Sequence, residues 1–214
     1  MTSFDAVLKS RLKTVIGGSA KFWPNKKPKL DDYYEAYLWA ETLFVADEQN
    51  WQINYVNAGS SNDHFTFRMG PGLITSSGYT YAEIRNGSRV GELHIGVRVH
   101  GESGTLHEFD VLGLDKNYHA HGRSGQPVQR DVKLHIEAKF HKSDLSLGVA
   151  RAIVGLGADC PDIEPFLVAK NNASSTVRPL IKHFHGHFVE QVYPGGSGVE
   201  PYFRNCVRAA LRHW

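Results

Sequence analysis

Lys133-Leu134-His135-Ile136-Glu137-Ala138-Lys139-Phe140-His141 alternates apolar with polar residues, the pattern of a strand with one buried face. Leu134, Ile136, Ala138 and Phe140 share that face. His135, Glu137, Lys139 and His141 share the other. Residues i and i+2 of a strand point the same way, so Glu137 and Lys139 set a carboxylate beside an ammonium on a rigid element. Upstream, His107-Glu108-Phe109-Asp110-Val111-Leu112-Gly113-Leu114 reads as a second strand. Asp110 interrupts its apolar residues, and a buried acid needs a partner or a metal.

The surrounding chain has 214 residues, 41% of them hydrophobic and 21% charged, which suits one globular domain with appendages. The net charge of +2 selects no partner class, but it is unevenly spread. Residues 1–30 carry seven Lys and Arg against Asp5 alone, a net of +6, so the remaining 184 sum to −4. A basic arm on an acidic body is compatible with phosphate binding. Cys160 and Cys206 form neither a disulfide framework nor a zinc pattern. No apolar run reaches membrane-spanning length and no secretory h-region is present, so a cytosolic protein with no membrane partner is expected.

In chain order, Phe4, Leu8, Leu12 and Val15 predict a helix over 3–16, followed by a basic, Pro-broken linker over 21–30. Residues 31–48 predict a buried helix opened by an Asp32/Glu35 capping box. Residues 50–90 hold short candidate strands and Glu83, a spare acid. Leu93, Ile95, Val97 and Val99 predict one face of the next strand, and Gly101 to Gly104 a hairpin turn. A long polar loop over 115–131 separates the Asp110 strand from the Glu137 strand. Ser143 is placed to cap a helix whose face holds Leu145, Val149, Ile153 and Leu156, and Glu164 to Lys170 reads as a buried strand. After the Gly-rich segment from Pro194, a last helix sets Phe203, Val207, Leu211 and Trp214 on one side and Arg204, Arg208 and Arg212 on the adjoining one.

An Asp on one strand and Glu-x-Lys on the next, within the order helix, strand, strand, strand, helix, strand, resembles the PD-(D/E)XK nuclease superfamily, the restriction-endonuclease-like enzymes. The likeness covers roughly 31–170. It departs from the family at Phe109, where the motif's proline would stand, in the long gap from Asp110 to Glu137, and in the insertion between 50 and 90. The resemblance implies an α/β fold with an αβββαβ core, a mixed central sheet flanked by helices, an extra β-rich insertion and a C-terminal helix. It divides the chain into a basic helix and linker (1–30), a nuclease-like domain (31–193) and a flexible linker with an amphipathic helix (194–214).

It further implies a nuclease that uses Mg²⁺ or Mn²⁺ to hydrolyse phosphodiester bonds, DNA before RNA, and by association a prokaryotic defence or DNA-processing setting. Asp110, Glu137 and the Ala138 carbonyl would hold the metal, Lys139 would stand beside the attacking water, and Glu35 would reach in from the first core helix. Cationic neighbours are expected to keep both strand acids ionised. Lys116, Arg123, Arg130, Arg151, Arg204, Arg208 and Arg212 are the candidate contacts to nucleic acid, and the helix arginines could equally face a partner's acidic patch. A homodimer, or a place beside a separate protein in a larger complex, fits a chain with no recognition domain. Two alternatives stand beside this reading. One is a silent nucleic-acid-binding or scaffold subunit of the same fold. The other is a histidine-metal β-barrel enzyme, with His183, His185 and His187 alternating along one strand.

Overall fold

A computed structural model describes residues 4–24, 26–59, 63–120, 125–140, 143–195 and 200–214. The elements are helix α1 (Phe4–Ile16), strand β1 (Lys21–Phe22), helix α2 (Leu30–Glu48), and strands β2 (Gln52–Val56), β3 (His64–Phe65), β4 (Tyr81–Asn86), β5 (Arg89–His100) and β6 (Leu106–Asp115). Two 3₁₀ turns, Lys116–Ala120 and Gln129–Asp131, lead to β7 (Val132–Lys139). Then come α3 (Leu147–Asp159), β8 (Phe166–Ala169), α4 (Val177–His183), β9 (His187–Val189) and α5 (Glu200–Arg212).

The fold is α/β, with a mixed seven-stranded sheet in the order β2-β4-β5-β6-β7-β8-β9. Strands β2, β4, β5, β6 and β7 pair antiparallel in that order, β8 pairs parallel with β7, and β9 pairs parallel with β8. A parallel neighbour needs a crossover, and α3 supplies the one between β7 and β8. The region 50–90 extends the sheet beyond β5 through β4 and β2. Within the same region His64–Phe65 forms β3, which among the described residues pairs with β1 alone.

One apolar core lies under α2. Tyr34, Tyr37, Leu38 and Trp39 of that helix meet Leu93, Ile95, Val111, Leu134, Ile136 and Ala138 of the sheet. The same core takes Leu8 and Leu12 from α1, Trp23 from the segment before α2, and Phe203, Val207 and Leu211 from α5. The segments read as outlying appendages therefore close the core. A second cluster packs α3 and α4 on β8 and β9, and a third covers Val97, Val99 and Phe109.

Three local expectations are corrected. Lys29 is the N-cap of α2, and its backbone N–H donates to Asp32 Oδ2 at 2.5 Å, so Asp32 is the third helical residue and Glu35 is not a capping group. Leu93 and Ile95 join one core while Val97 and Val99 join another, because Gly96 between them has φ +63° and turns the strand over. Helix α3 starts after Ser146, not Ser143, and Leu145 pairs instead with Ala173. Trp214 lies past the end of α5, above Gly91 and Gly113. A methyl at Gly91 would stand 2.1 Å from its ring.

Candidate functional site

The site forms where β6 and β7 run side by side. Val111 pairs with Ile136, so the next step of the ladder brings Asp110 beside Glu137. The Ala138 N–H donates to Asp110 Oδ2 at 2.8 Å. Lys139 Nζ stands 2.5 Å from Glu137 Oε1 and 3.7 Å from Asp110 Oδ2. The ammonium thus sits between the two carboxylates, with 26% of the Lys139 side chain still open to solvent. His135 is buried, its Nε2 3.6 Å from Glu137 Oε2, and among the described residues neither ring nitrogen has a partner within hydrogen-bond distance.

Glu35 comes from α2. The capping of the helix by Asp32 leaves its carboxyl unused, and it makes no hydrogen bond among the described residues. Burial first, then the negative charge of Asp110 and Asp32, pushes it up to about 9. Asp110 is raised to about 7 by burial and by Glu137, against the opposing pull of Lys139 and the Ala138 N–H. This overturns the expectation that cationic neighbours keep both acids ionised: one ammonium does not offset burial plus a neighbouring carboxylate. Glu137 does behave as expected. Burial works to raise it, but His135 and Lys139 together hold it below the ordinary carboxylate value. Lys139 is raised despite burial, by Glu137 and Asp110, and keeps its charge. Glu108, two residues before Asp110, is raised by burial and by Glu137 and belongs to the same field.

Asp110 and Glu137 thus share one close ammonium, with Glu35 and Glu108 within their electrostatic field. The donor chemistry is hard oxygen, and the excess negative charge is what a divalent cation relieves. Among the described residues no three His, Cys, Asp or Glu side chains close into a ready-made cage.

The remaining candidates scatter. Arg204 donates to buried Glu41 Oε2 through Nη2 at 2.7 Å and Nε at 3.1 Å, and Arg208 donates to Glu48 Oε2 at 2.7 Å. Both hold α5 on α2, so the acidic patch they face is internal. Lys116 and Arg130 flank the start of β7, seven residues from Lys139, roughly 20 Å at about 3.3 Å per residue. Arg151 and Arg212 are exposed on α3 and α5, and Arg123 lies outside the described residues. Glu83 accepts from Asn54 Nδ2 on an exposed face. The histidine alternative fails on geometry. His183 ends α4, His185 sits in the turn at φ +58°, and His187 starts β9, so they share no strand face.

Sequence reasoning missed a cleft at the start of α2, lined by Lys9, Lys26, Lys27, Lys29 and Tyr33. The dense basic stretch was its visible signal. The signal for Glu108 was its place two residues from Asp110. No protein-family model matches the chain, nor does any curated protein or solved structure. No described helix is long and apolar enough to cross a membrane.

Proposed function

We propose that this chain is a divalent-metal-dependent nuclease that hydrolyses phosphodiester bonds, DNA first among its substrates. The observation that carries the reading is the meeting of Asp110, Glu137 and Lys139 on adjacent strands, with Glu35 brought to them by α2. The element order supports it: α2, the antiparallel β5-β6-β7, the α3 crossover and the parallel β8 follow the αβββαβ order of restriction-endonuclease-like enzymes. Lysines at the start of α2 add a path for a phosphate backbone.

In this reading Asp110, Glu137 and the Ala138 carbonyl hold Mg²⁺ or Mn²⁺. When bound, the metal supplies a water of lowered pKa and offsets charge on the phosphoryl oxygens. Lys139 keeps its proton and presents a fixed positive charge beside the scissile phosphate, where negative charge grows in the transition state. His135 holds Glu137 ionised. Glu35, protonated at neutral pH, would present an O–H toward an oxygen of the substrate.

The test is cleavage of supercoiled plasmid, linear duplex, single-stranded DNA and RNA by the purified chain, with Mg²⁺, Mn²⁺ or EDTA. Metal-dependent cutting is expected, with a loss of roughly 10²–10³-fold in Lys139→Ala, as for removal of one donor to developing charge. Glu137→Ala should abolish it. Cutting that survives both substitutions would sink the assignment.

A further inference from the structure

Arg68 is 5% exposed and carries no acidic partner within salt-bridge distance among the described residues. Its Nη2 donates to the Leu73 carbonyl at 2.9 Å, and its Nε is buried with no partner among the described residues. A buried charge left this way costs several kcal/mol by rough estimate, so folds avoid it unless something else answers the charge. Here the backbone makes room for it. A methyl at Gly72 would stand 2.9 Å from Arg68 Nε, and one at Gly96 would stand 3.1 Å from Arg68 Cβ. Both glycines leave space that the arginine fills.

Arg68 lines a polar cavity of about 230 Å³ with Tyr79, Tyr81, Glu92, His94 and Tyr118. The one acid in that wall is already engaged: His94 Nε2 stands 2.8 Å from Glu92 Oε2, and the Tyr118 hydroxyl bonds the same carboxylate. The guanidinium is 4.5 Å from the Tyr79 ring centroid. Ser76 and Ser77 bring exposed hydroxyls to the rim. The volume lies below the roughly 300–1,000 Å³ of sites that enclose a whole ligand, so the cavity suits a terminal group.

We propose that this cavity is a phosphate site, in which Arg68 receives the terminal phosphate of a nucleotide or of a nucleic-acid strand end. A planar fork of donors below a rim of serine hydroxyls suits an anion with several acceptor oxygens. Burial depresses the pKa of Arg68, in keeping with a cation that lacks its counter-charge. The inference does not rest on the nuclease reading, since it concerns binding at a different set of residues.

The experiment measures thermal stability and affinity in EDTA, so that no cleavage intervenes. The probes are inorganic phosphate, adenosine monophosphate, and one single-stranded oligonucleotide carrying a 5′-phosphate, a 3′-phosphate or neither. At least one phosphorylated probe is expected to raise the melting temperature. If the source is a strand end, the phosphorylated oligonucleotide binds about tenfold more tightly than the unmodified one. If it is a free nucleotide, phosphate and the monophosphate act and the oligonucleotide ends make no difference. Arg68→Met should erase the response while leaving the ligand-free protein at least as stable as wild type, because an unpaired charge leaves the interior. Arg68→Lys should keep part of the response. No response from any probe, an equal response in Arg68→Met, or collapse of the ligand-free Arg68→Met protein would each overturn the proposal, the last by making Arg68 a structural residue.

Discussion

Glu35 holds its proton because its carboxyl is largely shielded from solvent and lies in the field of Asp110, Asp32 and Glu108. The consequence is a pH dependence of opposite sign to that of a salt-bridged carboxylate. The unfolded chain releases this proton near the ordinary value of 4.5, whereas the folded protein keeps it to about 9. Between those values the folded state binds more protons, so raising the pH favours unfolding. Asp110, raised to about 7, adds to the same slope over the lower part of the window. The metal-free protein should therefore lose stability steadily from about pH 5 to about pH 9. Glu35→Gln should flatten that decline and raise the melting temperature more at about pH 8 than at about pH 5. Saturating Mg²⁺ should flatten it as well, by supplying the positive charge the cluster lacks. A pH–stability profile unchanged in Glu35→Gln would contradict this account. The trio Asp110, Glu137 and Lys139 was legible in the sequence because strand alternation alone places Glu137 beside Lys139, and a lone acid among apolar residues marks Asp110. Glu35 was legible only through the family likeness. Its release from capping was not, because the choice of Lys29 as N-cap depends on how the chain enters α2 from buried Trp23, a tertiary matter.

The elements that enclose the site are tied together by Glu41. This carboxylate is fully buried in the middle of α2 and accepts from Arg11 Nε at 2.6 Å and from Arg204 at 2.7 Å. Both guanidinium groups also lie over the Phe44 ring, at 5.4 Å and 4.6 Å from its centroid. One acid thus fixes α1 and α5 against the helix that carries Glu35. Removing it leaves two half-buried cations without their shared counter-charge. Glu41→Ala is expected to cost about 3–5 kcal/mol of unfolding free energy, within the range for breaking a buried ionic group. Urea denaturation followed by circular dichroism would measure it, and a loss under about 1 kcal/mol would show that the triad carries little. The arginine stripe of α5 was visible from the sequence, but its partners were not: helical spacing reveals which residues share a face, and nothing local reveals that the opposing face holds Glu41 and Glu48. The same limit explains β5. Its alternation predicted one apolar face, whereas the positive φ of Gly96 divides the strand between two cores.

At the scale of the molecule, the uneven charge noted in the first 30 residues becomes a geometry. The segment that enters α2 pairs with β3 and buries Trp23, and this turns Lys26, Lys27 and Lys29 outward at the helix start, one to two turns from Glu35. Arg204 and Arg208, by contrast, are engaged by acids of α2, Arg204 by buried Glu41 and Arg208 by Glu48 at the surface. Phosphate contacts release counterions, so each one contributes to the salt dependence of binding, with a slope of about −0.9 per contact on duplex DNA. Replacing Lys26, Lys27 and Lys29 together by Ala should weaken binding to duplex DNA and reduce the magnitude of that slope by roughly two to three. Turnover of bound substrate should change little, because none of the three lysines is within the Asp110 and Glu137 ion-pair network. Arg208→Ala should lower stability and leave the slope as it is. Fluorescence anisotropy across a salt series separates the two. An unchanged slope in the triple variant would remove the lysine cleft from the path of the nucleic acid, and a slope that falls in Arg208→Ala would return the α5 arginines to it.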